Sequence, residues 1–260
     1  MKHLRQLLLP PAEMNRVFSM CLMFLILGFG PAFATAFDDA NRQYQSGDFA
    51  GAAASYEKII MNEGPRAAVF YNLGNSYLSI KRYGHAILAY ERCRLLTPRD
   101  PDLLANLLIA RKAAACFEVA RMDPRLAAIL GRLSRDEWSW LVAGSALFLG
   151  AVVLVGGWIR LPNRISNFVV TVASAAGFLI IVGSAVLYLR RGESEMGIVL
   201  SQNASVWLSP FEKAESLGTP GTGKMVRLGA KSGDFQYVEV TGTNLRGWLG
   251  KEDVAAIVPQ

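Results

Sequence analysis

The sequence predicts a multidomain chain: an all-α array of stacked helix pairs, two transmembrane helices, and a small all-β barrel. Three observations predict it. Residues from about Ala34 to Ala110 match themselves when the chain is shifted by 34 residues. Two later runs, Trp138–Trp158 and Asn167–Leu189, carry no charge and are long enough to cross a bilayer. From about Glu195 onward the pattern changes to short alternating runs separated by turns.

Composition sets the outer limits. A chain of 260 residues has room for two soluble modules and membrane segments. Its hydrophobic fraction of 52% against 18% charged residues points to the bilayer. The net charge of +6 is scattered along the chain, so there is no nucleic-acid footprint. The cysteines, Cys21, Cys93 and Cys116, lack metal-ligand spacing. Cys93 reads as core packing, and a Cys93–Cys116 disulfide is open outside the cytoplasm. With His3 and His85 the only histidines, no His-based catalytic or metal site is expected.

Residues 1–36 read as a secretory signal. Lys2, Arg5 and Arg16 precede an uncharged run, Val17–Gly30, and Ala32-Phe33-Ala34 or Ala34-Thr35-Ala36 offers a cleavage site. Met14-Asn15-Arg16 would make a more ordinary start. An uncleaved anchor helix is the alternative, and both readings carry residue 37 across the membrane.

Residues 37–122 form the repeat domain. Phe37 falls on Tyr71, Ala40 on Gly74, Asn41 on Asn75, Phe49 on Tyr83, Ala52 on Ala86 and Tyr56 on Tyr90. Small residues let paired helices approach, and the aromatics fill the space between pairs. Gly64-Pro65 separates two helices, and Asp100-Pro101 supplies an N-cap and a first helical residue. The last helix, Asp102 to about Val119, has Leu108 where earlier copies have Ala40 and Gly74, and is expected to cap the stack. Asn72-Leu73-Gly74-Asn75-Ser76-Tyr77, Tyr83-Gly84-His85-Ala86-Ile87, Tyr90-Glu91 and Pro98 resemble the tetratricopeptide repeat. That resemblance implies an inner groove that binds segments of other proteins. Asn41, Asn72, Asn75 and Asn106, with Tyr71, are the candidate groove residues. Asn72 and Asn75 share a helix face, and side-chain amides can hold an extended backbone through donor and acceptor at once. Satisfying the stack itself is their alternative role.

Residues 123–137 are a juxtamembrane linker. A short amphipathic helix is expected over Pro124–Leu133, followed by a capping box between Ser134 and Glu137. The spans are 138–158 and 167–189, with tryptophans at both ends of the first, where amphipathic rings favour the headgroup level. Small residues on both (Gly144, Gly150, Gly177 and Gly183 among them) allow tight packing with each other or with a partner. Residues 159–166 form a basic turn through Arg160 and Arg164. Positive charge favours the cytoplasmic side, which puts this turn inside and both soluble modules outside. Arg190 and Arg191 weigh against that orientation.

Residues 195–260 are expected to form the barrel. Strand-like runs lie at Gly197–Leu200, Ser205–Leu208, Met225–Leu228, Tyr237–Val240, Gly247–Leu249 and Ala255–Val258. Val206-Trp207-Leu208-Ser209-Pro210, Phe235-Gln236-Tyr237-Val238 and Gly247-Trp248-Leu249-Gly250 resemble bacterial SH3-like domains. Such domains often contact cell-wall peptides or proteins, so Trp207 and Trp248 are either ligand-facing or packed between strands. Gly218-Thr219-Pro220-Gly221-Thr222-Gly223-Lys224 has P-loop spacing, but Met225 replaces the Mg²⁺-binding hydroxyl and a strand, not a helix, is expected next. No catalytic constellation, cofactor or metal site is expected.

The order of modules resembles the BatE-like proteins associated with aerotolerance in bacteria. The resemblance is most specific in Phe37–Arg111. It implies an accessory protein linked to stress tolerance; the modules themselves lead us to expect a non-enzymatic scaffold on the extracytoplasmic (periplasmic) face of the inner membrane. The partners implied by the resemblance are membrane proteins of von Willebrand A type and a MoxR-type ATPase system; the spans add the lipid bilayer, and the SH3-like resemblance offers the alternative of a cell-wall receptor that binds peptidoglycan.

Overall fold

The computed structural model describes residues 30–116, 131, 133–156, 163–211 and 214–258. The core of the expected signal, the expected helix from Pro124 and the Arg160 turn lie largely or wholly outside them. The chain divides between Pro65 and Arg66 into two compact units.

The first unit contains a helical hairpin, α1 (Gly30–Gln45) and α2 (Phe49–Glu63). α1 is helical through both candidate cleavage sites. Asp48 caps α2 by accepting from the Gly51 amide at 2.9 Å, and Gly64, at φ 86°, ends it. Ala40, Ala52, Ala53, Tyr56 and Ile59 are buried.

The second unit begins with α3 (Ala67–Ser79), α4 (Tyr83–Leu96) and α5 (Pro101–Ala113). Gly74 on α3 lies against Tyr90 of α4, where an added Cβ would come within 2.4 Å of the ring. Asp100 accepts from the Asp102 and Leu103 amides and caps α5. α5 stops at Ala113, short of the expected Val119. Ala115, at φ 51°, closes a Schellman motif in which the Cys116 amide donates to the Arg111 carbonyl (2.8 Å) and the Ala115 amide to that of Lys112 (3.1 Å). The same closure ends α1 at Gly47 (φ 85°) and α3 at Lys81 (φ 60°). The 34-residue sequence period is therefore also the spacing of the three helix ends, Gln45, Ser79 and Ala113.

Two long helices follow, α6 (Arg135–Gly156) and α7 (Asn163–Leu189), both long and apolar enough to cross a membrane. The expected capping box starts α6: the Ser134 amide donates to Glu137 Oε2 (2.7 Å) and the Glu137 amide to Ser134 Oγ (3.1 Å). α7 begins before the expected Asn167. The helices pack on each other through Gly183, which faces Val142 and Trp138, whereas Gly144, Gly150 and Gly177 have open space at the Cβ position. Trp140, Leu147, Phe168 and Ile181 are each at least 70% exposed, unlike the core helices of a water-soluble fold.

A 3₁₀ turn, Arg191–Glu195, leads from α7 into the sheet. Its strands are β1 (Met196–Val199), β2 (Val206–Trp207), β3 (Ser216–Gly218), β4 (Met225–Ser232), β5 (Phe235–Val240), β6 (Arg246–Gly250) and β7 (Val254–Ala256). They pair antiparallel in the order β3-β2-β6-β5-β4-β1-β7. β3 and β7 are edges, so the sheet is open and the expected barrel is not closed by hydrogen bonds. β3 was not expected from the sequence, because its Ser-Leu-Gly is too short and too exposed to carry a period. Val199, Val206, Val226, Val238, Val240 and Leu249 form the core. The buried Gln236 amide bridges the irregularity in β4, donating to the Gly229 carbonyl at 2.7 Å.

Candidate functional site

The candidate groove residues take part in one recurring bond. In the first unit the Tyr56 hydroxyl donates to Asn41 Oδ1 at 2.6 Å. In the second, the Tyr90 hydroxyl donates to Asn75 Oδ1 at 2.7 Å, the same pair one period later. Each bond ties the two helices of a hairpin. Asn106 on α5 donates to Asn75 Oδ1 (3.0 Å) and to the Tyr71 hydroxyl (2.9 Å), joining α5 to α3. Burial raises the Tyr71 pKa, and the charges of Asp102 and Asp100 add to it, so the phenol stays neutral. Asn72 is half-buried on the same helix. The structure thus brings Tyr71, Asn75, Tyr90 and Asn106 together as a network that holds the stack, with one half-buried face.

α4 is buried nearly all round, which a helix achieves only between two neighbours. α3 and α5 flank it, and the sheet covers its remaining face. Gly84 meets the Val199 and Leu200 carbonyls, and an added Cβ would come within 2.7 and 2.6 Å of them. Arg92 donates through Nη2 to the Ala256 carbonyl (2.8 Å) and through Nε to that of Ile257 (3.2 Å). The Cys116 thiol donates to the Gly223 carbonyl at 3.2 Å, and Gly223, at φ 76°, lies against Ile87. Arg92, Lys231 and Lys251 line a cleft of about 410 Å³ at this seam. Sequence reasoning missed the seam. Its one local sign was α4 itself, where Ala86–Tyr90 leaves no polar stripe.

Cys93 and Cys116 are both free thiols, and burial raises the Cys93 pKa. Among the described residues no group of three His, Cys, Asp or Glu side chains is placed to hold a metal. The P-loop-like segment connects β3 to β4, with Gly221 and Gly223 at positive φ and strand, not helix, after Lys224.

Next to the seam, Arg82 Nη2 donates to His85 Nε2 at 2.8 Å and stacks over the Tyr77 ring. Burial, and then the Arg82 charge, push the His85 pKa down to about 4. His85 is neutral in the fold but binds a proton more readily unfolded. Its contribution is therefore complete above about pH 6.5 and is lost as pH falls toward 4. The melting temperature is expected to drop between pH 7 and pH 5, and the drop should shrink in His85→Gln. An equal drop in both proteins would contradict this.

On the sheet, Trp207 pairs with Trp248 and Trp248 with Tyr237 across adjacent strands. The Tyr237 and Trp248 rings meet edge-on, centroids 5.4 Å apart. The three half-buried aromatics form a row on the face opposite Val206, Val238 and Leu249. No family model matches the chain, and comparison with curated proteins and with solved structures finds no significant relative.

Proposed function

We propose that this chain is a non-enzymatic, membrane-anchored scaffold whose helical repeats hold a segment of a partner protein. The seam between α4 and the sheet carries this reading. Helices α3–α5 precede the spans and the sheet follows them, yet the two modules are bound to each other. The Arg190 guanidinium also donates to the Leu133 carbonyl at 3.0 Å, joining the start of α6 to the end of α7. A hairpin that enters and leaves on one side accounts for both contacts. The repeated Asn–Tyr bond and the periodic helix ends support a tetratricopeptide-type array. The signal-like start supports an extracytoplasmic position on a bacterial inner membrane. A BatE-like role in stress tolerance, with von Willebrand A-type and MoxR-type partners, rests on the resemblance in sequence.

The binding face is the side of α3 that carries Asn72 and Asn75. Ala68, one turn before Asn72, is exposed there, and its methyl group makes no hydrogen bond in the network. Tagged full-length protein purified from membranes is expected to retain a partner of one of those classes. Ala68→Glu should reduce its recovery about tenfold with an unchanged melting temperature. Equal recovery by both proteins would end the groove reading.

The aromatic row favours a second reading, a cell-wall receptor that stacks ligand on Trp207 and Trp248. Failure of the full-length protein to sediment with purified peptidoglycan would remove it.

A further inference from the structure

We infer that the outer face of α5 is a self-association surface, on which a second copy of this chain packs its own α5 antiparallel. A helix that closes a repeat stack needs a polar outer face. α5 presents Leu104, Leu108 and Ile109 there, 43%, 53% and 52% exposed, beside the exposed Ala105. One period earlier, Phe70 and Gly74 are buried, and Gly74 is covered by the Tyr90 ring of α4. One period after Tyr56 and Tyr90 the sequence has Pro124, so the aromatic that covers the earlier copies is not repeated.

The charges select the occupant. Along this face Asp102 lies in the first turn and Lys112 in the last, both exposed. Neither makes an ion pair among the described residues, and Arg111 is already joined to Glu91. Two copies of α5 packed antiparallel about a two-fold axis set Asp102 of each near Lys112 of the other. The leucines meet at the centre, and the helix dipoles oppose favourably. A parallel pair would set like charges together.

Two differently tagged full-length copies, co-expressed in one membrane and solubilised in mild detergent, test this. The wild-type copies are expected to co-purify and to give two chains per particle by light scattering. Leu108→Glu buries a carboxylate at the centre and should reduce co-capture roughly a hundredfold. Its helix content and melting temperature should stay at wild-type values, since the side chain is half exposed in one copy. Asp102→Lys and Lys112→Asp should each reduce co-capture about tenfold. Co-expressing one with the other should restore it, because both contacts become attractive again. A single chain per particle at about 10 μM protein would overturn the proposal, as would co-capture that survives Leu108→Glu. Loss with Leu108→Glu but no rescue by charge exchange would overturn the antiparallel pairing.

Discussion

Replacing Glu91 by Ala is expected to destabilise the second unit by about 3–5 kcal/mol, because it strips a buried charge cluster of its carboxylate. Glu91 is 1% exposed and lies between Arg94 of its own helix, at 2.7 Å, and Arg111 of α5. Arg111 is only 20% exposed, so its guanidinium would lose the counter-charge that offsets its desolvation. Thermal unfolding of the full chain in detergent should show a melting temperature lower by roughly 10 °C. Arg94 is 44% exposed, and Arg94→Ala should cost no more than about 1 kcal/mol, since solvent already screens it. A Glu91→Ala protein as stable as Arg94→Ala would show that the cluster does not hold α4 to α5.

Gly84→Ala should separate the sheet from α4. The added methyl carbon would lie 2.6 Å from the Leu200 carbonyl oxygen and 2.8 Å from the Leu200 Cα. Both are backbone atoms and cannot rotate aside, so overpacking of about 1–3 kcal/mol falls on the seam. Hydrogen exchange should speed up at the Gly223 and Leu200 amides, which bond the Val199 and Asp253 carbonyls next to the contact. Exchange in α1 and α2 should not change. Gly150→Ala on α6 is the control, because nothing lies within 4 Å of its added carbon. Identical exchange at the seam in both variants would show that the contact is too weak to join the modules.

Features with a local cause were legible in the sequence. The caps at Asp100 and Ser134 rest on side chains that bond within three residues. The two apolar runs need only length and composition, and six of the seven strands carry alternation or turns. The end of α5 was misplaced because Ala115 adopts positive φ without being Gly, and no propensity signals that. The period would have placed it, since Gly47 and Lys81 close the earlier helices at the same spacing. The asparagines were singled out for their recurrence, but the Tyr hydroxyls they accept lie 15 residues away on the opposing helix. The all-round apolar run Ala86–Tyr90 signalled that α4 is covered, but not by what. The Cys116–Gly223 bond joins residues 107 positions apart, and the Arg92–Ile257 bond residues 165 apart. Pairings at such separations leave no mark on any local window.

The five-residue 3₁₀ turn between α7 and β1 limits reach. At about 2 Å per residue it spans roughly 10 Å. With α7 in a bilayer, the sheet can stand no further than that from the headgroups, and α4, bolted to it, stays low as well. A ligand free in the surrounding fluid gains nothing from so short a stalk. A neighbour embedded in the same lipid does, because both then search a plane rather than a volume.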